Sequence, residues 1–184
     1  TLGDQAPAWV ITFTNAESGP RLAGELTIAA TGVGMSLNNK PFLQSTVDPQ
    51  PQEESPQLPD LLIAMNQLRR LLSGDAAAFT EQLAAGRTLQ LPLNREVDVL
   101  LTREGVRTCR WYFDEASALP VGVDVEYAQG IDEARLLFAD WEDRSGAIFP
   151  SRVGLISGVQ EELRWLNIDS VTVGKSTVPE EKKP

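Results

Sequence analysis

RTCRWYFDEASALPVGVDVEY, residues Arg107 to Tyr127, is the stretch that decides the fold. Cys109, Trp111 and Phe113 fall on one side of an alternating run, and Thr108, Arg110 and Tyr112 on the other. That is the two-residue period of a strand. DEASALP (Asp114 to Pro120) interrupts it with acidic and small residues and a proline, the composition of a turn. Alternation then resumes, with Val121, Val123, Val125 and Tyr127 on one face against Asp124 and Glu126. Two such runs joined by a short turn make an antiparallel pair.

The pattern continues in both directions. Gln129-Gly130-Ile131-Asp132 turns the chain into a strand at Arg135 to Trp141, and DRSGAIFP (Asp143 to Pro150) turns it again into Phe149 to Ile156. Ser157-Gly158 leads to a last strand, Glu162 to Val173. Upstream, Thr88 to Leu93 and Glu96 to Thr102 are predicted strands, and REG (Arg103 to Gly105) is a tight turn.

YFDEASALPV (Tyr112 to Val121) resembles a strand–turn–strand of bacterial lipoprotein-carrier proteins with the LolA/LolB-like fold. There a strand ends in aspartate, the turn holds a small-residue step, and Leu-Pro restarts the chain. FADWEDRSGAIFPSRV (Phe138 to Val153) is similar to the next repeat of that pattern, and ELRWLNIDSVTV (Glu162 to Val173) looks like the closing strand. The resemblance rests on turns in the last third and on layout elsewhere. It implies an open, unclosed β-barrel with helices covering its concave face. It also implies that an acyl chain or other apolar ligand is held between them in an envelope or periplasmic protein. No ligand residue is carried over from the family.

The N-terminal third is predicted to be β-rich. WVITFT (Trp9 to Thr14) sets Trp9, Ile11 and Phe13 on one face. NAESGPR (Asn15 to Arg21) turns into Leu22 to Ala29, where Leu22, Leu26 and Ile28 share a face with Gly24. Gly34 to Leu37 and Phe42 to Val47 flank Asn38-Asn39-Lys40, a hairpin turn, because asparagine tolerates a left-handed backbone.

DPQPQEESPQLP (Asp48 to Pro59) follows, a stretch that predicts a solvated loop. Leu58, Leu61, Leu62, Met65, Leu68 and Leu72 then recur at helical spacing, with Asn66, Gln67 and Arg70 on the other face and Gly74 as C-cap. A second helix is predicted at Ala76 to Ala85, with Asp75 as N-cap and Phe79 and Leu83 on its buried side. The fold class is therefore α+β, a large curved antiparallel sheet with helices on one face. The expected organisation is one domain over residues 1–175, a flexible acidic, Pro-rich loop at 48–59 and a disordered charged tail at 176–184.

Composition removes several function classes. The 184 residues carry a formal charge of −10, which repels phosphate backbones, so no nucleic-acid partner is expected. There is no histidine and one cysteine, Cys109. Histidine-based triads, histidine-ligated zinc and paired-cysteine metal sites are thereby excluded within this chain, as is an internal disulfide. No apolar run is long enough for a membrane-spanning helix. Asp124 with Glu126, and Asp140, Glu142 and Asp143, read as acids on outer, solvated strand faces rather than as an acid–base pair or a calcium loop. Cys109 reads as a small buried hydrophobe.

These readings predict a non-enzymatic protein without cofactor or metal. Its partner would be an apolar small molecule or the acyl chains of a lipoprotein, bound between sheet and helices. Trp111, Phe113, Leu62, Met65 and Trp141 are the cavity candidates. The alternative is an interaction or scaffolding module whose concave face is filled by its own side chains and whose partners are other domains of a longer exported chain.

Overall fold

The computed structural model describes residues 7–16, 22–29, 32–45, 57–74, 79–90, 94–105, 107–126, 134–144, 146–157 and 162–174. The expected loop at 48–59 lies mostly outside these residues, and the expected tail at 176–184 lies wholly outside them.

Alternation does what it predicts. The strands are β1 (Ala8–Asn15), β2 (Ala23–Ala29), β3 (Gly32–Leu37), β4 (Lys40–Ser45), β5 (Glu81–Gln90), β6 (Arg95–Glu104), β7 (Arg107–Phe113), β8 (Pro120–Glu126), β9 (Ala134–Arg144), β10 (Ala147–Ser157) and β11 (Glu162–Gly174). They form one sheet in the order β4-β3-β2-β1-β11-β10-β9-β8-β7-β6-β5. Every pairing is antiparallel. The pairing of β1 with β11 joins the N-terminal strands to the C-terminal meander. The sheet is not closed, since β4 and β5 are its two free edges.

Helix α1 (Gln57–Leu72) lies in sequence between those two edge strands. It packs on β2 and β3 from one part of the sheet and on β8, β9 and β10 from the other. Leu61, Leu62, Met65 and Leu68 enter one cluster with Trp9, Ile11, Phe13, Trp111, Val123, Phe138, Phe149 and Ile168. Trp9 meets Phe149 edge-on, with ring centroids 4.9 Å apart. The helix stops as its sequence predicts: Gly74 takes φ +69°, and Ser73 N–H donates to Arg69 O at 3.0 Å. Among the described residues no helix is long and apolar enough to cross a membrane.

Asn38 and Asn39 both take positive φ, +48° and +63°. They make a two-residue hairpin turn of the kind that matches strand twist, so β4 begins at Lys40, earlier than expected.

Other expectations are corrected. Among the described residues there is one helix rather than several: residues 75–78 of the predicted second helix lie outside them, and its part from Glu81 to Ala85 belongs to β5. Phe79 and Leu83 have helical spacing, but Leu83 is 54% exposed and supplies no buried stripe. The backbone instead pairs with β6 from Glu81↔Arg103 to Gln90↔Arg95. Tertiary pairing here overrides a weak helical preference. Gly86, at φ +89°, serves a bulge in β5 rather than ending a helix.

Val121 also leaves its expected face. A register shift between Tyr112 and Phe113 breaks the alternation. Val123 and Val125 stay in the main core, while Val121 joins Val97, Val99 and Tyr112 in a second, smaller cluster.

Candidate functional site

The sheet wall opposite α1 carries Trp111, which is fully buried between Cys109 and Val123 in the main cluster. Its indole N–H donates to Thr102 Oγ1 at 2.9 Å, so the one polar atom of this side chain is satisfied in the interior. Leu62 and Met65 reach the same cluster from α1, and Phe113 and Trp141 pack against its margin. The fold thus brings all five cavity candidates together. Trp141 is half-buried: its N–H donates to Pro120 O at 3.0 Å, and its ring meets Phe138 at 6.2 Å.

The helix itself departs from the sequence reading. Asn66, Gln67 and Arg69 are buried along with the leucines, so α1 has no solvated face over residues 61–69. A helix enclosed on all sides must satisfy its polar groups internally. Arg69, at 0% exposure, does so through Asn66 Oδ1 at 3.0 Å and Pro7 O at 3.2 Å. Gln67 Nε2 donates to Glu104 Oε2 at 2.7 Å. Arg70 pairs with the other oxygen of the same carboxylate, and Arg107 Nη1 stands 3.5 Å from Oε2. Glu104, at the end of β6, therefore gathers the C-terminal half of α1 to the sheet. Its place within the REG turn gave no sign of this role, because nothing local links it to residues so far upstream.

A second polar group was missed on the other face. Asp124 was expected on a solvated outer face, yet it is 3% exposed. Arg110 and Arg135 are its cross-strand partners on β7 and β9, with Arg135 Nε at 2.9 Å and Arg110 Nη1 at 3.6 Å. The Tyr112 hydroxyl donates to Asp124 Oδ2 at 2.6 Å. Burial first, and the hydrogen bond to Asp124 second, push the Tyr112 hydroxyl up to about 12. The alternation of charged residues on three successive strands was visible, but not the tyrosine that covers them. Among the described residues no group of three or more Cys, Asp or Glu is placed to hold a metal ion.

A cavity of ≈ 460 Å³ lies between the Asp114–Leu119 turn and strands β9 and β11. Val121 from the smaller cluster, Phe138 from the main one, and Trp141 and Trp165 contribute its apolar walls. A Cβ built on Gly154 would come within 3.2 Å of Trp165. Trp165 therefore stands on the face opposite Val153 and Leu155, which point to α1. At the turn, Asp114 accepts from the Ser117 backbone N–H and hydroxyl, and these bonds, with Arg95 beyond them, hold its carboxyl below the usual range.

Among solved structures, the chain is similar to a LolA superfamily protein of Nitrosomonas europaea. The TM-score is 0.51 and the identity 9%, over 96% of this chain and 89% of that one. The fold is that of the LolA superfamily. A DUF1329 family protein of Desulfovibrio piger is similar at a TM-score of 0.52 and 9% identity, over 91% of this chain and 85% of the other. No protein-family model and no curated protein sequence matches the chain. The LolA-like likeness drawn from the turns at Asp114 to Pro120 and Asp143 to Pro150 is therefore met by the whole architecture.

Proposed function

We propose that this chain is a non-enzymatic binding domain of the bacterial envelope, which takes an apolar ligand between α1 and the concave face of the sheet. The ligand class is an acyl chain, a lipid or the lipid part of a lipoprotein. The observation that carries this reading is the enclosure of α1. Its residues 61–69 are buried on every side, beneath a sheet that remains open at β4 and β5. An acyl chain that displaces part of α1 exchanges one apolar occupant for another, each buried CH₂ contributing roughly 0.8 kcal/mol. Trp111, Leu62 and Met65 would then face the chain, with Phe113 and Trp141 at its exit.

A second reading is favoured by the same side chains. Leu61, Leu62, Met65 and Leu68 already occupy the concave face, as an interaction or scaffolding module with a filled interior requires. Native mass spectrometry of the protein purified from a bacterial host, followed by lipid extraction, separates the two. A co-purified fatty acid or phospholipid supports ligand binding. An apo mass, with no uptake of added dansyl-labelled fatty acid, favours the filled module.

A further inference from the structure

Trp141 and Trp165 are both half-buried and both border the cavity beside the Asp114–Leu119 turn. Four charged side chains surround them. Arg95 Nη1 lies 3.1 Å from Asp114 Oδ1. Arg152 Nη1 lies 3.5 Å from Asp140 Oδ2, and its guanidinium stacks over the Trp165 ring at 4.5 Å. Asp140 is the unusual member. It stands within β9, half of its side chain or more is exposed, and its backbone is left-handed at φ +55°. A strand residue held in that conformation is strained unless something is gained by re-aiming its side chain.

We propose that this cavity binds a neutral sugar ring, as the terminal unit of a glycan. The size fits, since ligand pockets span about 300–1,000 Å³. Both indoles border the cavity. The Trp165 ring already carries Arg152 on one face, so a sugar ring would meet its rim and that guanidinium, and the Trp141 N–H is already committed to Pro120 O, so Trp141 contributes its ring alone. Arginine and aspartate at the rim supply acceptors and paired donors for hydroxyl groups, in bonds strengthened by charge. The two arginines balance the two aspartates, so a charged ligand finds no counter-charge it does not have to take from an existing pair. An acyl chain would take these ion pairs out of water and offer them no further hydrogen bond, which is costly. A polyhydroxylated ring meets both demands. This inference does not depend on apolar-ligand binding under α1.

The four tryptophans give resolvable indole N–H signals in a ¹H–¹⁵N spectrum of the whole chain. Maltotriose, cellotriose and tri-N-acetylchitotriose are titrated separately, alongside dodecyl maltoside and dodecanoate. The expected result is a saturable shift of the Trp141 and Trp165 signals with at least one sugar, while Trp9 and Trp111 stay in place. A response to dodecyl maltoside alone supports the same site and assigns the sugar to a glycolipid headgroup. Asp140→Asn keeps a residue that tolerates the left-handed backbone and should weaken binding tenfold or more. Trp165→Ala should abolish it. The proposal is overturned if no sugar-bearing probe moves Trp141 and Trp165 at millimolar concentration. It is equally overturned if dodecanoate moves Trp165, which lies off the acyl-chain path, as far as the sugars do, or if Asp140→Asn binds like the parent.

Discussion

Tyr112 donates its hydroxyl hydrogen to Asp124 Oδ2 across 2.6 Å, on the face of the sheet that α1 does not cover. Asp124 is thereby surrounded by Tyr112, Arg110 and Arg135. Removing the hydroxyl leaves a buried carboxylate oxygen short of a donor. Tyr112→Phe should cost about 1.5–3 kcal/mol, the range for bonds to charged groups. Asp124→Ala should cost at least as much, because it removes the acceptor of the Tyr112 hydroxyl and the carboxylate that Arg110 and Arg135 share. Urea denaturation of the two variants measures both. Equal stability of parent and Tyr112→Phe would show that the bond contributes nothing.

The same bond sets an alkaline limit. The folded chain holds the Tyr112 proton up to about 12, against 10.0 for an ordinary tyrosine. A raised folded value means that the associated stability is fully present below pH 10 and is lost as pH rises through 12. Stability should therefore fall between these limits, and fall less in Tyr112→Phe. The tyrosinate absorbance of the parent minus that of the variant should titrate near 12. A difference spectrum centred near 10 would contradict the buried environment.

Glu104 ties α1 to the sheet through Gln67, Arg70 and Arg107. Its side chain is 29% exposed, so solvent screens part of each interaction. Glu104→Gln keeps the shape and removes the charge. The expected loss is about 1–2 kcal/mol, below the full range for charged bonds. Amide exchange should accelerate in the last turns of α1 before it does in β9 or β10. Uniform acceleration across the chain would mean that α1 and the sheet open together.

Gly122 in β8 and Gly154 in β10 flank Leu137 of β9, and they should differ. An added Cβ at Gly122 would sit 2.8 Å from the carbonyl oxygen of Leu136, which is backbone and cannot rotate away. At Gly154 the nearest atom, at 2.7 Å, is the end of the Leu163 side chain, although Trp165 at 3.2 Å limits its retreat. Gly122→Ala should cost about 3 kcal/mol and Gly154→Ala about 1 kcal/mol, the two ends of the overpacking range. Thermal melts of both variants test the order, and the reverse order would show that the strand backbone yields more easily than Leu163.

The strands were legible because each core row repeats every second residue: Trp9, Ile11 and Phe13, or Cys109 and Trp111, are as buried as their spacing implies. What was illegible depends on distance or on register. The strand at Glu81–Gln90 is an edge, held by β6 and by ion pairs such as Arg103–Glu81 at 2.8 Å; only its end from Thr88 reads as a strand, because its first half offers no alternating apolar row. One bulge beside Phe113 moves Val121 to the other face. Arg69 and Gln67 are buried against Pro7 and Glu104, residues far away in sequence that no local pattern in Gln57–Leu72 contains. The five cavity candidates were found as large apolar side chains on predicted inner faces. Spacing alone does not distinguish a ligand-facing wall from a packed one.

Met65 offers a way to make that distinction. It is fully buried in α1 and packs within the cluster that holds Trp111 and Leu62. Met65→Ala removes its side chain beyond the β-carbon and should cost about 2–5 kcal/mol, the lower figure applying if the surroundings collapse into the space. If an acyl chain is accommodated between α1 and the sheet, the space freed lies along its path. Uptake of dansyl-labelled fatty acid should then rise, and saturating fatty acid should recover part of the lost stability, because a ligand that binds only the folded state stabilises it. If the interior is filled for its own sake, the variant should lose the same stability and take up nothing. A melt of Met65→Ala with and without fatty acid reads both quantities, and a melting temperature that does not respond to fatty acid would count against ligand binding beneath α1.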